Sequence, residues 1–179
     1  MKIKRITAVM LSFMILVPQG TLAGCGKTGK IEIFDKDNQM LISLEQNTDA
    51  KTELNNSEYT SYLEIVYAEA TQMIADRNQW TLEEAEKQLL CGEYHIYTSF
   101  DRNIFYSIKR AYDAQKEKSL TFGCAVTDLS GNLIASYSAG TKDDVYVNFA
   151  TMETPPYSSF KPLSVYAPAI ESGNITWSH

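Results

Sequence analysis

The sequence predicts an α+β fold from observations in different parts of the chain. Apolar residues recur at helical spacing over residues 59–74, and a capping box begins at Thr81. Farther along, two β-prone runs at residues 120–127 and 133–138 flank a turn that contains Asp, Gly and Asn. Helices followed by an antiparallel hairpin therefore indicate a mixed fold.

Composition narrows the possible classes. The chain has 179 residues, 44% apolar and 21% charged, which is ordinary for about one globular domain and argues against a disordered, collagenous or coiled-coil protein. Its formal net charge is −6, and Lys and Arg form no cluster in the sequence. Nucleic acid is therefore not an expected partner, because phosphate binding needs grouped basic residues.

The first 24 residues have the order of a secretory signal peptide. Lys2, Lys4 and Arg5 precede an apolar run over residues 6–17, which is too short to span a bilayer. The Leu-Ala-Gly-Cys sequence that ends at Cys25 resembles the lipobox of bacterial lipoproteins, in which that cysteine is acylated. We therefore expect an extracytoplasmic protein that is anchored to the bacterial membrane by a lipid on Cys25.

The mature chain is predicted to begin with a flexible tether over residues 25–56, which are mostly polar and leave room for one strand at residues 40–44. A helical linker or pedestal region over residues 57–117 follows. Its first helix carries a stripe of tyrosines, which we assign to the core rather than to a carbohydrate-binding platform.

The rest of this region is predicted to hold two more helices and a strand. The capping box at Thr81 opens a helix that ends near Gly92. Residues 96–100 are typical of a strand, and Asp101 then caps a helix. The predicted apolar face of that helix consists of Ile104, Phe105, Ile108, Ala111 and Tyr112.

Neither a metal nor a cofactor is expected. His95 and His179 are the only histidines, and neither is close to a set of further ligands in the sequence. With Cys25 acylated, Cys91 and Cys124 can either pair or remain unpaired as small buried residues.

One tetrad could carry covalent chemistry. Ser158 and Lys161 form an S-x-x-K sequence at a predicted helix start, where three-residue spacing places them on one side of the helix. A serine hydroxyl needs a base to become a nucleophile, and a desolvated lysine can serve as one. Pro162 suits the first helical turn, and we expect Leu163, Tyr166, Ala167 and Ile170 to share a helical face. The alternative is a capping serine and a solvated lysine.

Three segments around this tetrad resemble the penicillin-binding proteins, most closely their bifunctional, high-molecular-mass branch. Residues 93–101 resemble the entry to the transpeptidase region, residues 122–137 its first hairpin, and residues 158–170 (SSFKPLSVYAPAI) its active-site serine segment. They occur in the family's order. The resemblance implies that residues 118–179 are the N-terminal part of a transpeptidase domain with a serine β-lactamase-like fold.

The resemblance implies a function and partners. Ser158 would be the acylated nucleophile and Lys161 its base, in acyl transfer at the D-Ala-D-Ala end of peptidoglycan stem peptides. β-Lactam antibiotics would acylate the same serine. Where the family has Pro-Gly before the serine, this chain has Pro156 and Tyr157, and Phe149 replaces the Arg of an Asn-Arg-Ala element.

The family's S-x-N and K-T-G motifs belong well downstream of the serine, so we expect this chain to be an incomplete and inactive N-terminal portion. The letters at residues 172–174 and 27–29 match these motifs in the wrong places. Two other hypotheses stay open. One is a β-lactam or muropeptide receptor without turnover, and the other is a structural envelope lipoprotein.

Overall fold

The structure is a computed structural model that describes residues 29–46, 48–115, 121–142, 145–153 and 155–176. Within these ranges the chain folds into five α-helices and small β-sheets, which confirms the predicted α+β class. Apolar side chains from the first sheet, the first four helices and the hairpin form one core. The predicted signal peptide (residues 1–24) and Cys25 lie outside the described residues.

A three-stranded sheet occupies part of the segment for which a tether is predicted. Strands β1 (Lys30–Phe34), β2 (Met40–Glu45) and β3 (Glu93–Tyr97) lie in the order β2-β1-β3. The central strand β1 is antiparallel to β2 and parallel to β3. Helix α1 (Ala50–Asn56) follows, with the Asp49 carboxylate accepting a hydrogen bond from the backbone N–H of Lys51.

The tether prediction is therefore wrong for the described part of residues 25–56. Ile31 and Ile33 alternate with polar residues and are fully buried, as expected for a strand with one face on the core. The segment is polar on average, but its apolar and polar residues alternate with a period of two, and this alternation favours a strand over a flexible tether.

The helical layer follows the sequence prediction closely. Helix α2 (Thr60–Asn78) contacts α1, α3 and the later strand β5, and it buries the predicted tyrosine stripe. Tyr59, Tyr62 and Tyr67 are all buried, which confirms their assignment to the core. Helix α3 (Leu82–Cys91) begins with a complete capping box between Thr81 and Glu84.

Helix α4 (Arg102–Asp113) begins where Asp101 predicts it, with the Asp101 carboxylate accepting from the N–H groups of Asn103 and Ile104. The preceding strand lies earlier than predicted, at β3 rather than at residues 96–100. On α4 only Phe105 is fully buried, while Ala111 is exposed. The apolar face is thus narrower than its periodicity indicates.

A buried ion pair joins the β1–β2 turn to the start of α4. The Asp35 carboxylate is 2% exposed and accepts hydrogen bonds from Arg102 Nε and from the backbone N–H groups of Asp37 and Gln39, at 2.9 and 2.8 Å. The Arg102 guanidinium also donates to the Met40 carbonyl at 2.9 Å and lies over the Tyr59 ring. One cation thus connects a turn, a strand and a helix.

The predicted hairpin is present as strands β4 (Phe122–Thr127) and β5 (Leu133–Ala139). Asp128 accepts from the N–H groups of Ser130 and Asn132 across the turn, and Gly131 adopts a φ of 89°. Two short strands, β6 (Thr141–Lys142) and β7 (Val145–Tyr146), follow the hairpin. Cys124 on β4 is a half-buried free thiol, so it does not pair with Cys91.

The chain then forms a helical segment of mixed geometry. It comprises a 3₁₀ turn (Tyr157–Phe160), a π-helical turn (Pro162–Tyr166) and helix α5 (Ala167–Glu171). None of these elements contains a buried residue. The predicted apolar face does not pack against the core, and its Leu163 is 70% exposed.

Candidate functional site

Ser158 and Lys161 lie where the sequence predicts a helix start. Ser158 is in the 3₁₀ turn, and the backbone N–H of Lys161 donates to the Ser158 carbonyl. In a 3₁₀ turn, residues three apart lie on the same face, one directly above the other. The backbone therefore places the two residues one turn apart, as their spacing predicts.

Their side chains do not yet form a nucleophile–base pair. Ser158 and Lys161 are both exposed, and among the described residues neither side chain has a hydrogen-bond or ion-pair partner. The neighbouring Ser159 hydroxyl instead donates to the Pro156 carbonyl. A lysine activates a serine hydroxyl where its amine is desolvated, so this pair would need a cover that excludes solvent.

The residue just before the serine has an unusual backbone. Tyr157 adopts a φ of 44°, in the left-handed region that favours glycine, and its side chain is 80% exposed. A residue with a Cβ is strained in this region. The turn into the S-x-x-K helix is thus built on a conformation that suits glycine better than tyrosine.

The segment that leads to the serine is held by Asn148. Its amide nitrogen donates to the Ser61 carbonyl at 2.9 Å and to Glu64 Oε2 at 3.0 Å, both on helix α2. Its amide oxygen accepts from the backbone N–H of Ala150 at 3.2 Å. In the sequence Asn148 stands out only as the residue before Phe149, in the place of the Asn of the Asn-Arg-Ala element, and these contacts give it a positioning role.

The hairpin contacts the same segment. The hydroxyl of Ser138 on β5 donates to the Val147 carbonyl and accepts from the backbone N–H of Phe149, each at 3.0 Å. On β4, a Cβ added at Gly123 would collide with the backbone of Phe149. Close approach therefore requires glycine at position 123, and the hairpin fixes the start of the path to Ser158.

The helical segment that carries the serine, from Tyr157 to Glu171, is called here the Ser158 segment, and it presents apolar side chains to solvent. Large apolar residues on the Ser158 segment are exposed by about half or more, namely Tyr157, Phe160, Leu163, Val165 and Tyr166. Exposed apolar side chains, where they form a contiguous patch, usually mark contact with another polypeptide or a membrane. None of the cavities described for this structure is lined by a residue of the Ser158 segment.

No protein-family model, curated protein or solved structure matches this chain.

The two motif-like strings have structural explanations or lie outside the described residues. Ser172, Gly173 and Asn174 end helix α5, where the Asn174 N–H donates to the Ala169 carbonyl at 2.9 Å and Gly173 has a φ of 74°. They serve as a helix C-terminus. Of the second string only Gly29 is described, and it packs against the backbone of Leu90. Cys25, the predicted lipid attachment residue, is outside the described residues.

The remaining candidates lie apart from the Ser158 segment. His95 is on β3, where its Nε2 lies 3.1 Å from a carboxylate oxygen of Glu32. The described part of the chain contains no group of three or more metal-ligating side chains. None of its helices is both long and apolar enough to cross a bilayer.

Proposed function

We propose that this chain carries the nucleophile-bearing N-terminal part of a penicillin-binding D,D-transpeptidase, with Ser158 as nucleophile and Lys161 as general base. The observation that carries the proposal is the backbone just before the serine. Tyr157 keeps a left-handed φ of 44° at the position where the resembled family has glycine. A helical S-x-x-K turn follows it directly.

In the proposed reaction, the Ser158 hydroxyl attacks the carbonyl carbon of the penultimate D-alanine of a stem peptide. The Oγ–C bond forms while the hydroxyl proton passes to the Lys161 amine. The C–N bond then breaks, and the lysine returns this proton to the departing D-alanine. An amine or a water molecule finally takes the acyl group from Ser158, and a β-lactam would form the same ester by opening its ring.

A competent site requires further polypeptide over the Ser158 segment. Lys161 would have to lose contact with water for its amine to become a base, and Leu163, Tyr166 and their apolar neighbours would have to be covered. Without such a cover, Ser158 would be acylated only slowly. We also propose that a lipid on Cys25 holds the protein at the outer face of the bacterial membrane.

The test is incubation of the complete gene product with a fluorescent penicillin, followed by gel electrophoresis and mass spectrometry. We expect a covalent label on Ser158 that disappears in Ser158→Ala. Ser159→Ala is the matched control, because the adjacent serine is also exposed and its hydroxyl donates to the Pro156 carbonyl. A label that survives Ser158→Ala, or no label on the complete product, would overturn the proposal.

A second candidate is a structural envelope lipoprotein in which Ser158 and Lys161 have no chemistry. The exposure of both side chains and the absence of a hydrogen bond between them among the described residues favour it. A receptor that binds β-lactams without turnover lies between the two. It would form a stable acyl-serine without releasing D-alanine from a stem peptide, whereas a structural protein would form none.

A further inference from the structure

A ridge of three residues runs along the outer side of helix α2. Glu64, Ala68 and Gln72 are spaced four apart, so they stand in one row along the helix. Ala68 at its centre is exposed and short, which makes the ridge low in the middle. A second helix could therefore approach the backbone of α2 closely at this point.

Two cavities flank this ridge. One, of about 590 Å³, lies between α2 and helices α1 and α3, and the other, of about 600 Å³, lies between α2 and the segment around Asn148. Glu64, Ala68 and Gln72 line both. We call the ridge with its two cavities the double groove.

Each cavity exposes a large apolar side chain. Leu82 in the first is 55% exposed and Met73 in the second is 39% exposed. The half-buried Ile65 adds further apolar surface to the second cavity. Apolar surface of this kind favours the binding of apolar side chains.

The rim of the double groove is strongly acidic. Among the described residues that line the two cavities, Lys51 is the only basic one, and five are acidic: Glu64, Glu69, Asp76, Glu83 and Glu86. Among the described residues, the carboxylates of Glu69 and Glu83 have no hydrogen-bond or ion-pair partner. Partial burial raises the pKa of Glu69 to about 7, as expected for a half-buried carboxyl group without a cation.

We propose that the double groove binds a basic amphipathic helix of another protein. Rows spaced four apart pack into the grooves of a partner helix, so a helix seated across the low ridge would send apolar side chains into both cavities. Lys and Arg side chains along its flanks would reach the five carboxylates. Charge complementarity of this kind selects the partner.

The same charges exclude other occupants. A second copy of this chain using the same face would place five carboxylates against five, which opposes association. Anionic lipids and nucleic acids would be repelled for the same reason. The proposal is independent of the transpeptidase proposal, because no residue of the segment from Tyr157 to Glu171 lines the double groove.

The test uses the full chain and two synthetic helical peptides of equal length, each labelled with a fluorophore. Both present leucines on one face, and one has Lys on the flanks where the other has Glu. Fluorescence anisotropy should show the Lys peptide binding at least about tenfold more tightly than the Glu peptide. Added salt should weaken its binding.

Two variants test the location. Ala68→Arg fills the low point of the ridge and should weaken Lys-peptide binding at least about tenfold. Ala111→Arg is its matched control, because Ala111 is also an exposed helical alanine but lies on α4. At pH 8, above the pKa of Glu69, the double change Glu69→Gln, Glu83→Gln should weaken binding several-fold by charge alone, while Glu53→Gln on α1, outside the double groove, should not.

Four results would overturn the proposal. These are equal affinity for the two peptides, equal effects of Ala68→Arg and Ala111→Arg, no effect of the double Gln variant, and no binding of the Lys peptide at millimolar concentration. Circular dichroism of each variant provides the folding check. If Ala68→Arg alters the fold, the nearly isosteric double Gln variant decides the question.

Discussion

Replacing Arg102 should destabilise the protein by leaving a buried charge without its partner. In Arg102→Leu, the Asp35 carboxylate, which is 2% exposed, would keep only its hydrogen bonds from the backbone N–H groups of Asp37 and Gln39. Removing one member of a buried ion pair typically costs about 3–5 kcal/mol. Because Arg102 is partly exposed and two hydrogen bonds to Asp35 remain, we expect a loss of about 3 kcal/mol at pH 7.

Equilibrium unfolding in urea, followed by far-ultraviolet circular dichroism, measures this loss as a lower midpoint with an unchanged slope. Arg102→Lys keeps a positive charge near Asp35 but loses the planar guanidinium group that also reaches the Met40 carbonyl. It should therefore lose less, about 1 kcal/mol.

A double-mutant cycle separates the ion pair from the packing of the arginine stem. In an Asp35→Asn background no buried charge is left unpaired, so Arg102→Leu should cost at least about 1 kcal/mol less than in the wild type. If its cost is the same in both backgrounds, or is below about 0.5 kcal/mol in the wild type, the reasoning about a buried, partner-dependent carboxylate is wrong.

Two further predictions concern the groove and the serine segment. Because the pKa of Glu69 is raised from 4.5 to about 7 in the folded protein, ionising it opposes folding, so the wild type should lose stability relative to Glu69→Gln as pH rises from about 4.5 through 7. After allowance for solvent screening, the difference in the free energy of unfolding should reach about 1 kcal/mol at pH 8 and vanish below pH 4. Urea titrations across this pH range measure it. If the stability of the two proteins changes in parallel with pH, the prediction is contradicted. Tyr157→Gly should relieve about 1–2 kcal/mol of left-handed strain and slow amide hydrogen exchange in the helical turns that follow. Tyr157→Ala, which keeps a Cβ, should leave exchange unchanged, and equal exchange in both variants would refute the strain argument.

Local sequence signals predicted the helical layer well. The spacing of Tyr59, Tyr62 and Val66 defines the buried face of α2, and the Thr81–Glu84 capping box fixes the start of α3. Both signals act within a few residues, so no knowledge of the remaining fold is needed to read them. The turn between β4 and β5 is of the same local kind.

The three-stranded sheet could not be predicted in this way. Ile31 and Ile33 give only a five-residue alternation inside a polar stretch. Their strand is stabilised by pairing with β3, which follows it in the sequence only after three helices. At Ser158, too, one part of the arrangement could be predicted from local sequence and another part could not. Its spacing from Lys161 follows from local helix geometry, whereas solvent exclusion around the lysine depends on what packs over it, which spacing does not encode.

The parallel pairing of β1 with β3 has a consequence for the order in which this protein can fold. A chain that emerges from the ribosome with its N-terminus first would present its central strand well before the neighbouring parallel strand exists. Strand β1 could pair with β3 only after α1, α2 and α3 have been synthesised. Until then Ile31 and Ile33 would remain exposed to solvent. We therefore expect the earliest-emerging residues of the sheet to be among the last to become protected, and nascent chains that stop before β3 to be sensitive to proteases and to recruit chaperones.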